Sequence, residues 1–175
     1  MIMYGGVKNP PFRAAIVEYP WWQPYLRREQ LLRQYGYLLS ETSCENLQCL
    51  RALDADELAN ASQATYIRAY ADKAYGYGSF YFGPHVDGNV IRDLPSREFR
   101  AGHFTTVPIL VDREGYEGYL FSNQSIRTLS EEIEDIRTLY PYVDKDFIEQ
   151  LYQLYPAEDF NSTFFHRQTI FGYKI

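Results

Sequence analysis

An α/β chain is predicted, and three observations carry the prediction. Residues 107–111 form the most continuous apolar run, with Val107, Ile109, Leu110 and Val111. A short β-branched run that stops at once in charges and glycine reads as a strand buried on both faces. A second β-capable stretch, residues 14–17 within FRAAIVEY, ends the same way on Glu18. Past the first run, Asp112, Glu114 and Glu117 crowd into a loop punctuated by Gly115 and Gly118. Carboxylates just beyond the C-terminal end of a parallel strand sit where open α/β folds place their working residues. A solvated acidic turn is the plainer alternative, and Glu18 competes as a site candidate.

Composition narrows the classes. A chain of 175 residues suits one domain with a real core. A net charge of −6 without a basic stripe argues against a nucleic-acid partner. No apolar segment approaches membrane-spanning length. The N-terminus lacks the cationic and apolar regions of a secretory leader. Aromatic residues make up 17% of the chain, and 17 tyrosines favour amphipathic surfaces, pockets or interfaces without choosing among them.

In chain order, residues 4–11 are rich in glycine and proline and read as loop, and residues 12–19 as the first strand. Trp21 and Trp22 then sit between Pro20 and Pro24, either wedging a loop against the core or lining an apolar cleft. Residues 25–39 read as a helix with Leu26, Leu31, Leu32, Tyr35, Leu38 and Leu39 inward and Arg27, Arg28, Glu29 and Gln34 outward. Cys44 and Cys49 are too few for a disulfide framework and lack the further ligands of a zinc site. Such a pair can close a small loop or stay as two buried thiols.

Residues 54–74 continue as helix, capped by Asp54 with Glu57 in a box-like position and carrying Leu58, Ala61, Ala64, Ile67 and Ala71 inward. Asp87-Gly88 is turn chemistry, and residues 95–102 form a short helix before the second strand. Residues 129–139 are helical, capped by Thr128 or Ser130, with Glu131, Glu132, Glu134 and Asp135 as a solvated acidic face. Two further helices span 146–155, with Phe147, Leu151, Leu154 and Tyr155 inward, and 164–171.

Several motifs occur in a family's order. Glu117-Gly118-Tyr119-Leu120-Phe121 resembles the E-G-x-x-F segment of type-B carboxylesterases and lipases, the cholinesterase-like branch of the α/β-hydrolases. Phe12-Arg13-Ala14-Ala15-Ile16 is similar to that family's aromatic-x-A-A-I strand, preceded by Gly5-Gly6 and Asn9-Pro10. Cys49-Leu50-Arg51 matches its C-L-R. Phe82-Gly83-Pro84-His85-Val86-Asp87-Gly88 resembles its aromatic-x-P-x-x-D-G element, with Ile91, Pro95, Gly102 and Pro108 at matching places. Arg167-Gln168-Thr169-Ile170-Phe171-Gly172 matches R-Q-x-I-x-G, so the resemblance runs from Gly5 to Gly172. The departures are a shorter cysteine loop and Tyr116, where many members carry aspartate.

The resemblance implies a partial α/β-hydrolase fold with about two parallel core strands and several helices. It implies that Glu117 is the acid of a Ser-His-Glu triad and that Cys44 and Cys49 pair as a disulfide. The substrate would be a small carboxylic ester or a lipid, with no metal and no organic cofactor. The family's G-x-S-x-G elbow would lie before Met1 and its histidine beyond Ile175, so the chain reads as a central piece without activity of its own. None of His85, His103 and His166 falls where the family places its base. Sequons at Asn60, Asn123 and Asn161, with the cysteine pair, favour a secreted, glycosylated parent. Two rivals stand beside this reading: a binding module with a Trp/Tyr platform, and a helical scaffold, which adjacent parallel strands would exclude.

Overall fold

The computed structural model describes residues 1–20, 24–113, 115 and 117–172, with residues 171 and 172 by backbone alone. Its two strands, β1 (Ala15–Glu18) and β2 (Ile109–Asp112), pair in parallel with Ala15 opposite Ile109 and Glu18 opposite Asp112. Parallel neighbours require a crossover. Here it holds α1 (Arg28–Thr42), α2 (Leu47–Ala52), α3 (Ala55–Ala71) and α4 (Pro95–Arg100). After β2 come α5 (Glu117–Phe121), α6 (Leu129–Leu139), α7 (Lys145–Leu154) and α8 (Thr163–Gly172). Mixed α/β with a small parallel sheet is therefore correct, and the helical scaffold falls.

Helix boundaries follow local chemistry. Asn46 Oδ1 accepts the Cys49 N–H at 3.0 Å to start α2, a helix that the sequence reading did not place. Asp54 caps α3 by accepting the Asp56 N–H at 2.9 Å. Thr128 and Glu131 form a reciprocal capping box on α6, and the backbone N–H groups of Arg127, then Thr128, hold the Glu131 carboxyl below its ordinary 4.5. Asp144 caps α7. The Asp87 carboxylate accepts from Asn89 and Ile91 N–H at 2.9 and 3.0 Å, which fixes the turn and lowers its pKa from 3.8.

The strands differ from expectation in their burial. Ile16 is 75% exposed and Leu110 65%, and Ile109 and Val111 are exposed as well. Their composition is that of strands covered on both faces, yet within these residues they stand open. The core lies elsewhere, in Ile136, Leu139, Ile148 and Ile170 of the C-terminal helices, and in Leu50, Ala61 and Ala69.

Three helix faces are also rotated. Gln34 is buried and donates from Nε2 to the Tyr81 carbonyl at 2.8 Å, while Leu32 and Tyr35 are exposed. In α3 the buried positions are Ala61, Thr65 and Ala69, and Ile67 is exposed. In α7 Ile148 is buried, whereas Phe147 and Leu154 are exposed.

The N-terminal loop is pinned beside the approach to β2. Thr105 donates its N–H to the Met1 carbonyl at 3.0 Å, and its hydroxyl accepts from Val7 N–H at 2.8 Å. Gly6 sits at φ +81 with the Phe104 backbone 2.4 Å from where a Cβ would be, so the crossing requires glycine. Cys44 and Cys49 are bonded, Cα atoms 5.6 Å apart, and close the turn from α1 to α2.

Candidate functional site

Glu117 opens α5, five residues beyond the last residue of β2, and is half-buried. The expectation was a loop; the chain instead turns through Gly115 and enters a short helix with the acid in its first turn. That placement suits the positive end of the helix. α5 rests on α8, where the Tyr119 and Phe164 rings meet edge to face, centroids 5.7 Å apart. Gly118 and Ser122 are buried beneath, and Ser122 donates its N–H to the Gly118 carbonyl at 3.0 Å. The Tyr77 hydroxyl reaches the Leu120 carbonyl at 3.4 Å. Phe121 is exposed, and the Tyr119 ring on Phe164 carries the contact with α8.

The competing acids separate. Glu18 and Asp112 end the two strands side by side. Asp112 Oδ1 accepts the Tyr19 N–H at 3.3 Å, so it fixes the chain's exit from β1, and Glu18 is exposed. Glu114 lies outside the described residues, as do Trp21 and Trp22, the proposed cleft lining. Of the sequon asparagines, Asn60 is exposed in the body of α3 and Asn161 just before α8. Asn123 Oδ1 accepts both the N–H and the hydroxyl of Ser125, at 3.0 and 2.7 Å.

What holds α8, and through it α5, is a buried charge network that sequence reasoning missed. His166 Nε2 faces the Tyr155 carbonyl at 2.8 Å, and Nδ1 lies 3.2 Å from Glu132 Oε2. A carbonyl only accepts, so Nε2 carries a proton. The Tyr152 hydroxyl donates to Glu132 Oε1 at 2.8 Å; burial, then the glutamate beside it, pushes that phenol's pKa well up. Next door, Arg167 Nε donates to Asp135 Oδ2 at 3.0 Å, and its NH2 group meets the same oxygen. Glu132, His166 and Arg167 are all fully buried. The acidic run of α6 was expected to be a solvated face; only part of it is. The signal was present, because Glu132 shares an i, i+4, i+7 stripe with Ile136 and Leu139.

The histidines are accounted for. His166 is bound within this network, and His103 Nδ1 lies 3.3 Å from Glu98, which also takes Arg92. His85 is exposed. Among the described residues no three His, Cys, Asp or Glu side chains converge as a metal site, and no helix is long and apolar enough to cross a membrane. The described aromatics Tyr70, Tyr75, Tyr81 and Phe82 pack edge to face at interplanar angles of 69°, 84° and 70°, a cluster rather than a flat platform. Chemically, a carboxylate on a short helix at the end of a parallel strand can accept an imidazole N–H. It cannot take a proton from an unassisted serine.

Comparison with known proteins agrees with the motifs. The model of the carboxylesterase family matches residues 12–174. A secreted lipase of Arthroderma benhamiae is 24% identical over 168 residues, 91% of this chain and 29% of the lipase. The carboxylesterase patB of Penicillium expansum is 28% identical over 146 residues, 81% of this chain and 23% of that enzyme. The chain thus spans under a third of either relative's length. With a family match across nearly all of its residues, the chain belongs to the carboxylesterase family.

Proposed function

We propose that these residues form part of an α/β-hydrolase that cleaves carboxylic esters, and that Glu117 supplies the acid of its Ser-His-Glu triad. The observation that carries this is the position of Glu117: just past the C-terminal end of a parallel strand, in the E-G-x-x-F register, on a helix braced from behind by α8. Its role would be to fix the tautomer of a histidine and stabilise the imidazolium formed when that histidine takes the serine proton.

The exposed strands support the same reading. Apolar β-branched strands open to solvent suit a sheet that continues into further strands of a larger domain. Ester or lipid is the substrate class that the relatives' names suggest, and a secreted, glycosylated protein fits the lipase's name, the disulfide and the sequons at Asn60, Asn123 and Asn161.

A fluorophosphonate probe tests the division of labour, because it labels only an activated serine. The 175-residue chain should stay unlabelled, and a longer polypeptide carrying it together with a G-x-S-x-G segment should be labelled. Labelling of the shorter chain would overturn the assignment of these residues to the acid alone.

A further inference from the structure

A second feature of the surface lies between α1 and α6. It is a cleft of about 320 Å³, at the lower end of the size that holds a small molecule. Arg33 comes from α1, Arg137 from α6, and Lys73 from the turn after α3. The carboxylate lining it is Glu134, which Lys73 meets at 3.8 Å. Arg33 and Arg137 have no ion-pair partner among the described residues. In a chain of net charge −6, the cleft therefore carries a local excess of two positive charges.

The polar groups around those cations are mixed: the Gln34 amide, the Tyr37 hydroxyl and the Thr138 hydroxyl donate to the Tyr81 carbonyl, Asp72 and the Glu134 carbonyl, while Gln30 and Tyr81 offer donors. Gln30 lines the cleft and spends its amide oxygen on the Arg27 N–H at 2.9 Å, so what it has left to offer is its NH2 donor. Tyr81 lines the wall and is 6% exposed, and its hydroxyl has no hydrogen-bond partner among the described residues. A buried donor without a partner is costly and is ordinarily satisfied by something bound. Burial, then the nearby Tyr37, pushes this phenol up to about 12, so it stays protonated and able to donate at neutral pH.

We propose that the cleft formed by Arg33, Lys73, Arg137 and Tyr81 binds a small dianionic oxyanion, a phosphomonoester or dicarboxylate, at a site separate from Glu117. Two guanidinium forks are suited to paired oxygens, and two uncompensated positive charges match a dianion. The shared chemistry is the oxyanion: a phosphomonoester gathers both charges on one tetrahedral group, and a dicarboxylate spreads them over two planar ones.

Calorimetric titration with inorganic phosphate and, separately, with succinate tests this at ionic strength matched with sodium chloride. Saturable binding of either probe is expected, and heats no different from the chloride control overturn the proposal. Arg33→Gln and Arg137→Gln, both at exposed positions and checked for an unchanged circular dichroism spectrum, should each weaken binding about 10-fold or more. Tyr81→Phe should weaken it roughly 10-fold while leaving the melting temperature of the free chain equal or higher, since it deletes an unpartnered hydroxyl. Affinity unchanged in the arginine variants, or in Tyr81→Phe, would overturn the site as drawn.

Discussion

Asp135→Ala removes a carboxylate to which a buried guanidinium donates twice. Arg167 is fully buried and cannot shed its proton, and Asp135 Oδ2 accepts from both its Nε and its NH2 group. Breaking a buried pair by deleting one member costs about 3–5 kcal/mol, because the remaining charge stays desolvated. For a chain of this size each kcal/mol moves the melting temperature by about 2–4 °C, so the expected fall is roughly 6–20 °C. The control is Lys145→Ala. Its ion pair with Glu149 is shorter than many at 2.8 Å, yet its side chains are 80% and 54% exposed. Such a pair is worth well under about 1 kcal/mol and should shift the transition by no more than about 2 °C. Replacing both members, Arg167→Met with Asp135→Leu, removes the stranded charge and should recover most of the loss. Thermal unfolding followed by circular dichroism reads all four chains. If Asp135→Ala and Lys145→Ala melt within about 2 °C of each other, the buried network is not what holds α8.

Two further outcomes follow from other parts of the molecule. With Cys44 and Cys49 bonded, iodoacetamide should alkylate neither before reduction and both after it; two modified thiols in the unreduced chain would contradict the pairing. Tyr81 and Tyr140 are raised from 10.0 to about 12, chiefly by burial. The unfolded phenols then ionise first, so stability is full below pH 10 and is lost as pH rises from there toward 12. Tyrosinate absorbance rising in one step near pH 10 while the fold persists would refute this.

Much of the fold was legible because local chemistry dictates it. The β-branched runs at Val17 and Val111, the Thr128 cap and the Asp54 cap act within a few residues, and each element forms where those signals stand. The register of Glu117 past β2 was legible for the same reason. What escaped reading depends on distant partners. Glu132 reads as solvated until His166, 34 residues on, comes within hydrogen-bonding distance of it, and Gln34 reads as outward until the Tyr81 carbonyl, 47 residues on, accepts from it. The strands' exposure was equally hidden, because an apolar run records the burial it is suited to and not what lies against it. The short α2 lay inside the cysteine loop, too brief for a periodic pattern to register.

The central claim is that Glu117, and neither Glu114 nor Glu18, is the triad acid. It is tested most directly by ester turnover in a polypeptide that carries these residues together with a catalytic serine and histidine. Loss of the orienting acid costs such triads on the order of 10⁴ in turnover while the fold survives. Glu117→Gln should therefore all but abolish hydrolysis with little change in melting temperature. Glu114→Gln and Glu18→Gln should leave it within a few-fold of the parent. Full activity in Glu117→Gln, or its collapse in Glu114→Gln, would contradict the assignment and move the acid to the residue that fails.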